Sequence, residues 1–264
     1  MINYKNICDS VIAISKVAGN FLMTEIEKIK VTDIKNKGVR DFVTYVDVNA
    51  EKMIVEALKK ILPEAGFITE EGVETHRAEK YNWIIDPLDG TTNFVNKVPI
   101  YCTSIALMED SEIVVGVIYE PNSDECFYAY KNSKSYLNGE VITVHDKPEL
   151  ISSLFATGFP YQDYEKMDEY VKVFKYFLSN SSGVRRLGSA AVDIAYTACG
   201  RFQGFYEFGL KPWDVAAGVI IIKQAGGVVS DFKNGNNYLF GAEIVAAAPT
   251  AHKEIIKALE LFGL

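Results

Sequence analysis

The chain has 264 residues, 48% of them hydrophobic and 23% charged, which excludes long disorder and supports either one large core or two halves sharing one. Acidic residues outnumber basic ones 35 to 27, and the formal net charge of −8 repels nucleic-acid phosphates, so no nucleic-acid partner is expected. Four scattered cysteines (Cys8, Cys102, Cys126, Cys199) and three dispersed histidines (His76, His145, His252) exclude a disulfide scaffold and a zinc site of ordinary spacing.

The first residues lack the basic and apolar regions of a signal peptide, and no continuous apolar run reaches the roughly 18 residues of a membrane helix. A cytoplasmic protein with no membrane partner is expected. Ile7, Val11, Ile14, Ala18, Phe21, Leu22 and Ile26 recur at helical spacing and predict an amphipathic helix over residues 7–29. A polar segment over residues 30–40 leads to Asp41-Phe42-Val43-Thr44-Tyr45-Val46-Asp47. A second helical pattern then runs through Met53, Ile54, Ala57, Leu58 and Ile61, with Asp47 near its start. Residues 66–69 read as a short strand that delivers Glu70-Glu71 to its end.

Trp83-Ile84-Ile85 suits a buried strand, and the chain then breaks at Pro87 and Gly90 within Asp86-Pro87-Leu88-Asp89-Gly90-Thr91-Thr92-Asn93-Phe94. Two carboxylates leave one strand end beside hydroxyl and amide residues able to cap a helical turn, whose free N–H groups favour an anion. Carboxylates for a cation next to donors for a phosphate are the pattern of metal-assisted phosphoryl transfer. An acidic turn rich in turn-formers would explain Asp-Pro-x-Asp-Gly alone.

Strand patterns at residues 103–108, 113–119 and 126–130, and an Asn138-Gly139 hairpin before 141–144, predict a largely antiparallel middle region. Strands at 154–157, 184–187, 202–206, 227–230 and 244–247 then alternate with helices over 164–177, 190–198, 215–224 and 252–261. This is α/β logic. The expected division is an N-terminal α+β half, 1–147, and a C-terminal α/β half, 148–264, acting as one functional unit. Gly188-Ser189-Ala190-Ala191 precedes one helix, Glu207 follows a strand, and Lys211-Pro212-Trp213-Asp214 opens another helix.

Singly, Asp47 and Asp214 are helix-start charges worth about 0.3–1 kcal/mol. Converged in one cleft, Glu70, Asp86, Asp89 and Asp214 could not all stay ionised without a cation, because two such charges 4 Å apart repel by roughly 4 kcal/mol at an effective dielectric near 20. Hard oxygen donors without nearby His or Cys select Mg²⁺, with Mn²⁺ as substitute.

Trp83 to Phe94 and Lys211-Pro212-Trp213-Asp214-Val215-Ala216-Ala217-Gly218 resemble the two signatures of the inositol monophosphatase family. Asp41 to Asp47, Phe67-Ile68-Thr69-Glu70-Glu71 and Arg186-Leu187-Gly188-Ser189-Ala190-Ala191 fit in order, so the likeness spans essentially the whole chain. The resemblance implies a layered α-β-α-β-α sandwich, a homodimer, inhibition by lithium and hydrolysis of inositol monophosphate to myo-inositol and phosphate. It implies one Mg²⁺ held by Glu70, Asp86 and the Leu88 carbonyl, a second by Asp86, Asp89 and Asp214, and a weaker third dependent on Glu70. Glu70 and Thr91, the latter supported by Asp47, would orient the attacking water. Gly90, Thr91 and Thr92 would cradle the phosphate, and Gly188, Ser189, Ala190 and Glu207 would contact the alcohol portion. The same machinery acting on fructose 1,6-bisphosphate, 3′-phosphoadenosine 5′-phosphate, histidinol phosphate or NADP is the nearest alternative; a noncatalytic regulatory phosphate-binding protein is the alternative of another class.

Overall fold

The computed structural model describes residues 2–29, 35–38, 41–43, 45–160 and 164–264. The chain begins with helix α1 (Tyr4–Glu25), capped by the Asn3 side chain, which accepts from the Asn6 N–H. A small antiparallel pair follows, β1 (Lys35–Gly38) and β2 (Asp41–Val43), then helix α2 (Tyr45–Ile61). The expected polar segment over 30–40 thus contains a strand. Its other residues, and Thr44, lie outside the described residues.

The large sheet takes seven strands in chain order: β3 (Gly66–Thr69), β4 (Tyr81–Asp89), β5 (Cys102–Glu109), β6 (Glu112–Glu120), β7 (Glu125–Tyr130), β8 (Ser135–Leu137) and β9 (Glu140–Ile142). Only β3 and β4 run parallel; every other neighbouring pair is antiparallel. Asn138 and Gly139 join β8 to β9 with φ of 50° and 91°, the left-handed pair that a two-residue hairpin needs. Between β4 and β5 a short helix, α3 (Thr91–Val95), completes the motif turn. Pro87 does not end its strand as the sequence suggests. β4 continues to Asp89, and the register against β5 shifts between Asp86 and Asp89, an irregularity that accommodates a residue without a backbone donor.

The second sheet has five strands: β10 (Leu154–Thr157), β11 (Gly183–Arg185), β12 (Gly204–Phe208), β13 (Val228–Ser230) and β14 (Glu243–Ala247), in the order β11-β10-β12-β14-β13. β10 is parallel to both its neighbours, whereas β14 is antiparallel to both of its own. Four helices accompany it: α4 (Met167–Asn180), α5 (Ala190–Ala198), α6 (Pro212–Gln224) and α7 (Pro249–Leu261).

Alternation along the strands sets the layers. In β4, Trp83 and Ile85 join Ile7, Val11, Ile54 and Leu58 of the first two helices, while Ile84 joins Ile194, Ala217 and Ile221 of α5 and α6. On the far side of these two helices lie Phe205, Ile244 and Ala246. The opposite face of the small sheet packs Phe155, Tyr206 and Val245 on Tyr170, Phe177, Ile255 and Leu259 of α4 and α7. The result is an α-β-α-β-α sandwich. Residues Val215 to Ile222 are buried without a break because α6 lies between two sheets and has no solvent face. Gly116 permits this approach, since a Cβ there would stand 2.5 Å from the Ala217 carbonyl oxygen.

By length and composition α1 could cross a membrane. Its buried residues, among them Ile7, Cys8, Val11 and Ala18, instead complete the outer core. All four cysteines are free.

Candidate active site

The five layers bring five chain segments to one cleft of about 480 Å³. Glu70 arrives from the end of β3, with its N–H donating to the Ile85 carbonyl. Buried Glu51 of α2 fixes the next turn by accepting from the Glu71 and Val73 N–H groups at 2.8 Å each. Asp86, Leu88 and Asp89 come from the irregular end of β4, and Gly90, Thr91 and Thr92 from the head of α3. Gly188, Ser189 and Ala190 open α5, Glu207 lies on β12, and Asp214 sits in the first turn of α6. Asp47 stands behind this wall, buried, 3.0 Å from the Thr91 hydroxyl.

Asp86, Asp89 and Asp214 are each held by a local donor. Asp86 Oδ1 accepts from the Leu88 N–H at 2.9 Å. Asp89 Oδ2 accepts from Ser189 Oγ and the Ala191 N–H, both at 2.7 Å, at the N-terminus of α5, where the helix dipole favours an anion. Asp214 Oδ2 accepts from the Lys211 N–H at 2.6 Å, half of a capping arrangement in a helix that begins with Pro212. The Thr91 hydroxyl also lies 3.0 Å from the Leu88 carbonyl, so its single proton serves either that carbonyl or Asp47. Gly90, at φ 97°, makes the left-handed turn, and Ile100 O would lie 3.0 Å from any Cβ placed there.

Burial disfavours the charged forms. Asp86 is pushed well above the usual carboxylate range, first by burial and then by Glu70, Asp89 and Asp214, and it shares a hydrogen bond with the Glu70 carboxyl. Burial lifts Asp89 to about 6 against its Ser189 and Ala191 donors. It lifts Asp214 to about 8, helped by Asp89. Hard oxygen donors that resist ionisation together are what a divalent cation would relieve, and the residues present fit one. Among the described residues no three acidic, His or Cys side chains are already drawn into a closed ligand cluster.

Arg186, part of the Arg186–Ala191 motif, lines the cleft, as do Gly158 and Asp193, which the sequence did not single out. Asn93, buried at 9% exposure, donates from Nδ2 to the Ile100 and Leu187 carbonyls at 2.7 and 2.8 Å, tying α3 to the loop that carries Gly188. The one sequence signal for Asp193 is an acid inside the otherwise apolar run Ala190–Ala198. Glu51 and Gly158 gave none, since both act through segments distant in the chain.

Comparison with known proteins gives a consistent result. Residues 4–262 match the inositol monophosphatase family. The "Nus factor SuhB" of Escherichia coli K12 is 38% identical over 243 residues, covering 92% of this chain and 91% of that protein. The SuhB structure from Bartonella henselae superposes with a TM-score of 0.90 at 35% identity, covering 96% of this chain and 97% of the other. An inositol monophosphatase from Anabaena superposes with a TM-score of 0.88 at 33% identity, covering 98% and 97%.

Proposed function

The chain belongs to the inositol monophosphatase family, and from that premise we propose that it is a Mg²⁺-dependent phosphomonoesterase that converts inositol monophosphate and water to myo-inositol and phosphate. The observation that carries this reading is the meeting of Glu70, Asp86, Asp89 and Asp214 with Thr91 in one cleft. Glu70, Asp86, Asp89, Asp214 and the Leu88 carbonyl would hold two or three ions, Mg²⁺ or in its place Mn²⁺. Such ions supply Lewis acidity toward the ester oxygens and lower the pKa of water. Glu70 takes the proton of the attacking water, while Thr91, its own proton directed to Asp47, presents lone pairs that orient the water in line with the ester bond; as the new P–O bond forms the ester P–O bond breaks, and the departing inositol oxygen takes up a proton from solvent. Gly90, Thr91 and Thr92 receive the phosphate; Gly188, Ser189, Ala190 and Glu207 face the alcohol portion. A homodimer, lithium inhibition and a cytoplasmic location belong to the same proposal.

Phosphate release by the purified protein tests it, with inositol 1-phosphate assayed beside fructose 1,6-bisphosphate, 3′-phosphoadenosine 5′-phosphate, histidinol phosphate and NADP. Inositol 1-phosphate should lead, chelation should stop release, and Asp89→Asn should lower turnover by at least about a hundredfold without unfolding, as for loss of a transition-state electrostatic contact. Slower release from inositol 1-phosphate than from every other ester would refute the substrate, and full turnover by the variant would refute the role of Asp89.

The relatives named Nus factor favour a second, compatible reading in which the same chain also docks on a macromolecular partner. With a net charge of −8, that partner is more readily a protein than a bare nucleic acid. Rescue of a strain lacking such a relative by the Asp89→Asn variant would support docking independent of turnover. Rescue by wild type alone would argue for the phosphatase role.

A further inference from the structure

Asp193 lies in the fourth position of α5, among apolar neighbours that pack between the two sheets, and it is 1% exposed. Its Oδ1 is buried and accepts no hydrogen bond. A carboxyl oxygen left without a donor in such a place is costly and calls for a partner. The residue nevertheless lines the cleft, within electrostatic reach of Glu207, Asp89 and Arg186.

Glu207 is built into the same wall. Gly158, at the end of β10, leaves the space its carboxyl fills: a Cβ at Gly158 would stand 2.1 Å from both Glu207 oxygens. Burial lifts Glu207 to about 8. Burial, then Glu207 and Asp89, push Asp193 well above the ordinary range, while Arg186 draws it back. Two buried carboxyls and one guanidinium therefore line the same cleft, within electrostatic reach of one another and of Asp89. They offer acceptors without adding a full pair of negative charges.

We propose that Asp193 is a specificity-determining residue whose carboxyl receives a hydroxyl of the substrate's alcohol portion beside Glu207, selecting phosphate esters of polyols over esters of simple alcohols or phenols. The proposal rests on the phosphatase reading and adds a residue to its alcohol-binding wall. A polyol hydroxyl supplies the donor that Oδ1 lacks. A leaving group without hydroxyls would leave that oxygen unpartnered in the complex, and discrimination by unmet polar groups is stronger than discrimination by apolar contact.

Steady-state kinetics of the full chain with Mg²⁺ on inositol 1-phosphate and on p-nitrophenyl phosphate separate the possibilities. For Asp193→Ala, kcat/KM on inositol 1-phosphate should fall at least tenfold, chiefly through KM, with less than a threefold fall on the nitrophenyl ester. Asp193→Asn keeps an acceptor and should recover part of the loss. Equal losses on both esters, or a loss on neither, would overturn the proposal; so would a fall confined to kcat. A wild-type protein that releases phosphate from neither ester would overturn the phosphatase reading itself. Thermal melts of both variants identify a misfolded Asp193→Ala, in which case the Asp193→Asn ratio between the two esters decides.

Discussion

His252, buried in the first turn of α7 with Nε2 2.8 Å from Ser230 Oγ, shows how a single titratable group links stability to pH. Burial lowers its pKa below the ordinary 6.5. The folded protein therefore resists a proton that the unfolded chain accepts. Stability contributed by neutral His252 is complete above 6.5 and is lost as pH falls past that value toward the folded pKa. A His252→Gln variant should lose less stability than wild type between pH 7.5 and 5.5, measured as the shift in urea midpoint. Equal shifts would show that His252 does not contribute. The same residue-scale chemistry explains why the acids of the cleft differ in character. Asp89 and Asp214 have N–H donors at helix starts, Asp86 leans on the Glu70 carboxyl, and Asp193 Oδ1 has no donor.

Elements, rather than single residues, set the spacing of the site. β6 and α6 touch at Gly116, and α5 and α6 at Gly218, where a Cβ would stand 2.6 Å from Ile194 Cγ2. These contacts hold the helix that presents Asp214 at a fixed height above the strand that presents Asp86. Ser104 of β5 reinforces it by donating to the Trp213 carbonyl at 3.2 Å. Gly116→Ala should therefore cost about 1–3 kcal/mol of stability by overpacking, and should also lower turnover because α6 must lift away. A variant that melted like wild type and kept full activity would show that the contact yields without moving the helix.

At the scale of the whole molecule, a cation bound across Glu70, Asp86, Asp89 and Asp214 would join both sheets through the helices between them. Binding to the folded form alone stabilises it by about 2.7 kcal/mol when the free cation is a hundredfold above its Kd. For a chain of this size that corresponds to a rise in Tm of roughly 5–10 °C. Mg²⁺ added to chelated protein should produce a shift of that order, and Asp89→Asn should reduce it. A melting temperature indifferent to Mg²⁺ would mean that these carboxylates hold no ion in the folded protein.

Much of this molecule is determined by local pattern. The run Ala190–Ala198 forms the helix its composition predicts, Asn138-Gly139 makes its hairpin, and the apolar runs of β5 to β7, separated by turn residues, form antiparallel strands, because propensity and turn chemistry act over a few residues. The motif around Asp86 and Asp89 likewise reads as an acidic turn in the linear sequence, and the structure brings both carboxylates to the cleft. Tertiary structure alone decided that β4 passes through Pro87, that residues 41–43 pair with 35–38, and that the two sheets share one helical layer. It also decided that Glu51 braces the turn after Glu70, that Gly158 makes room for Glu207, and that Asp193 faces the cleft. The last three relations join segments about twenty to more than a hundred residues apart, and close packing, which no local pattern encodes, fixes them.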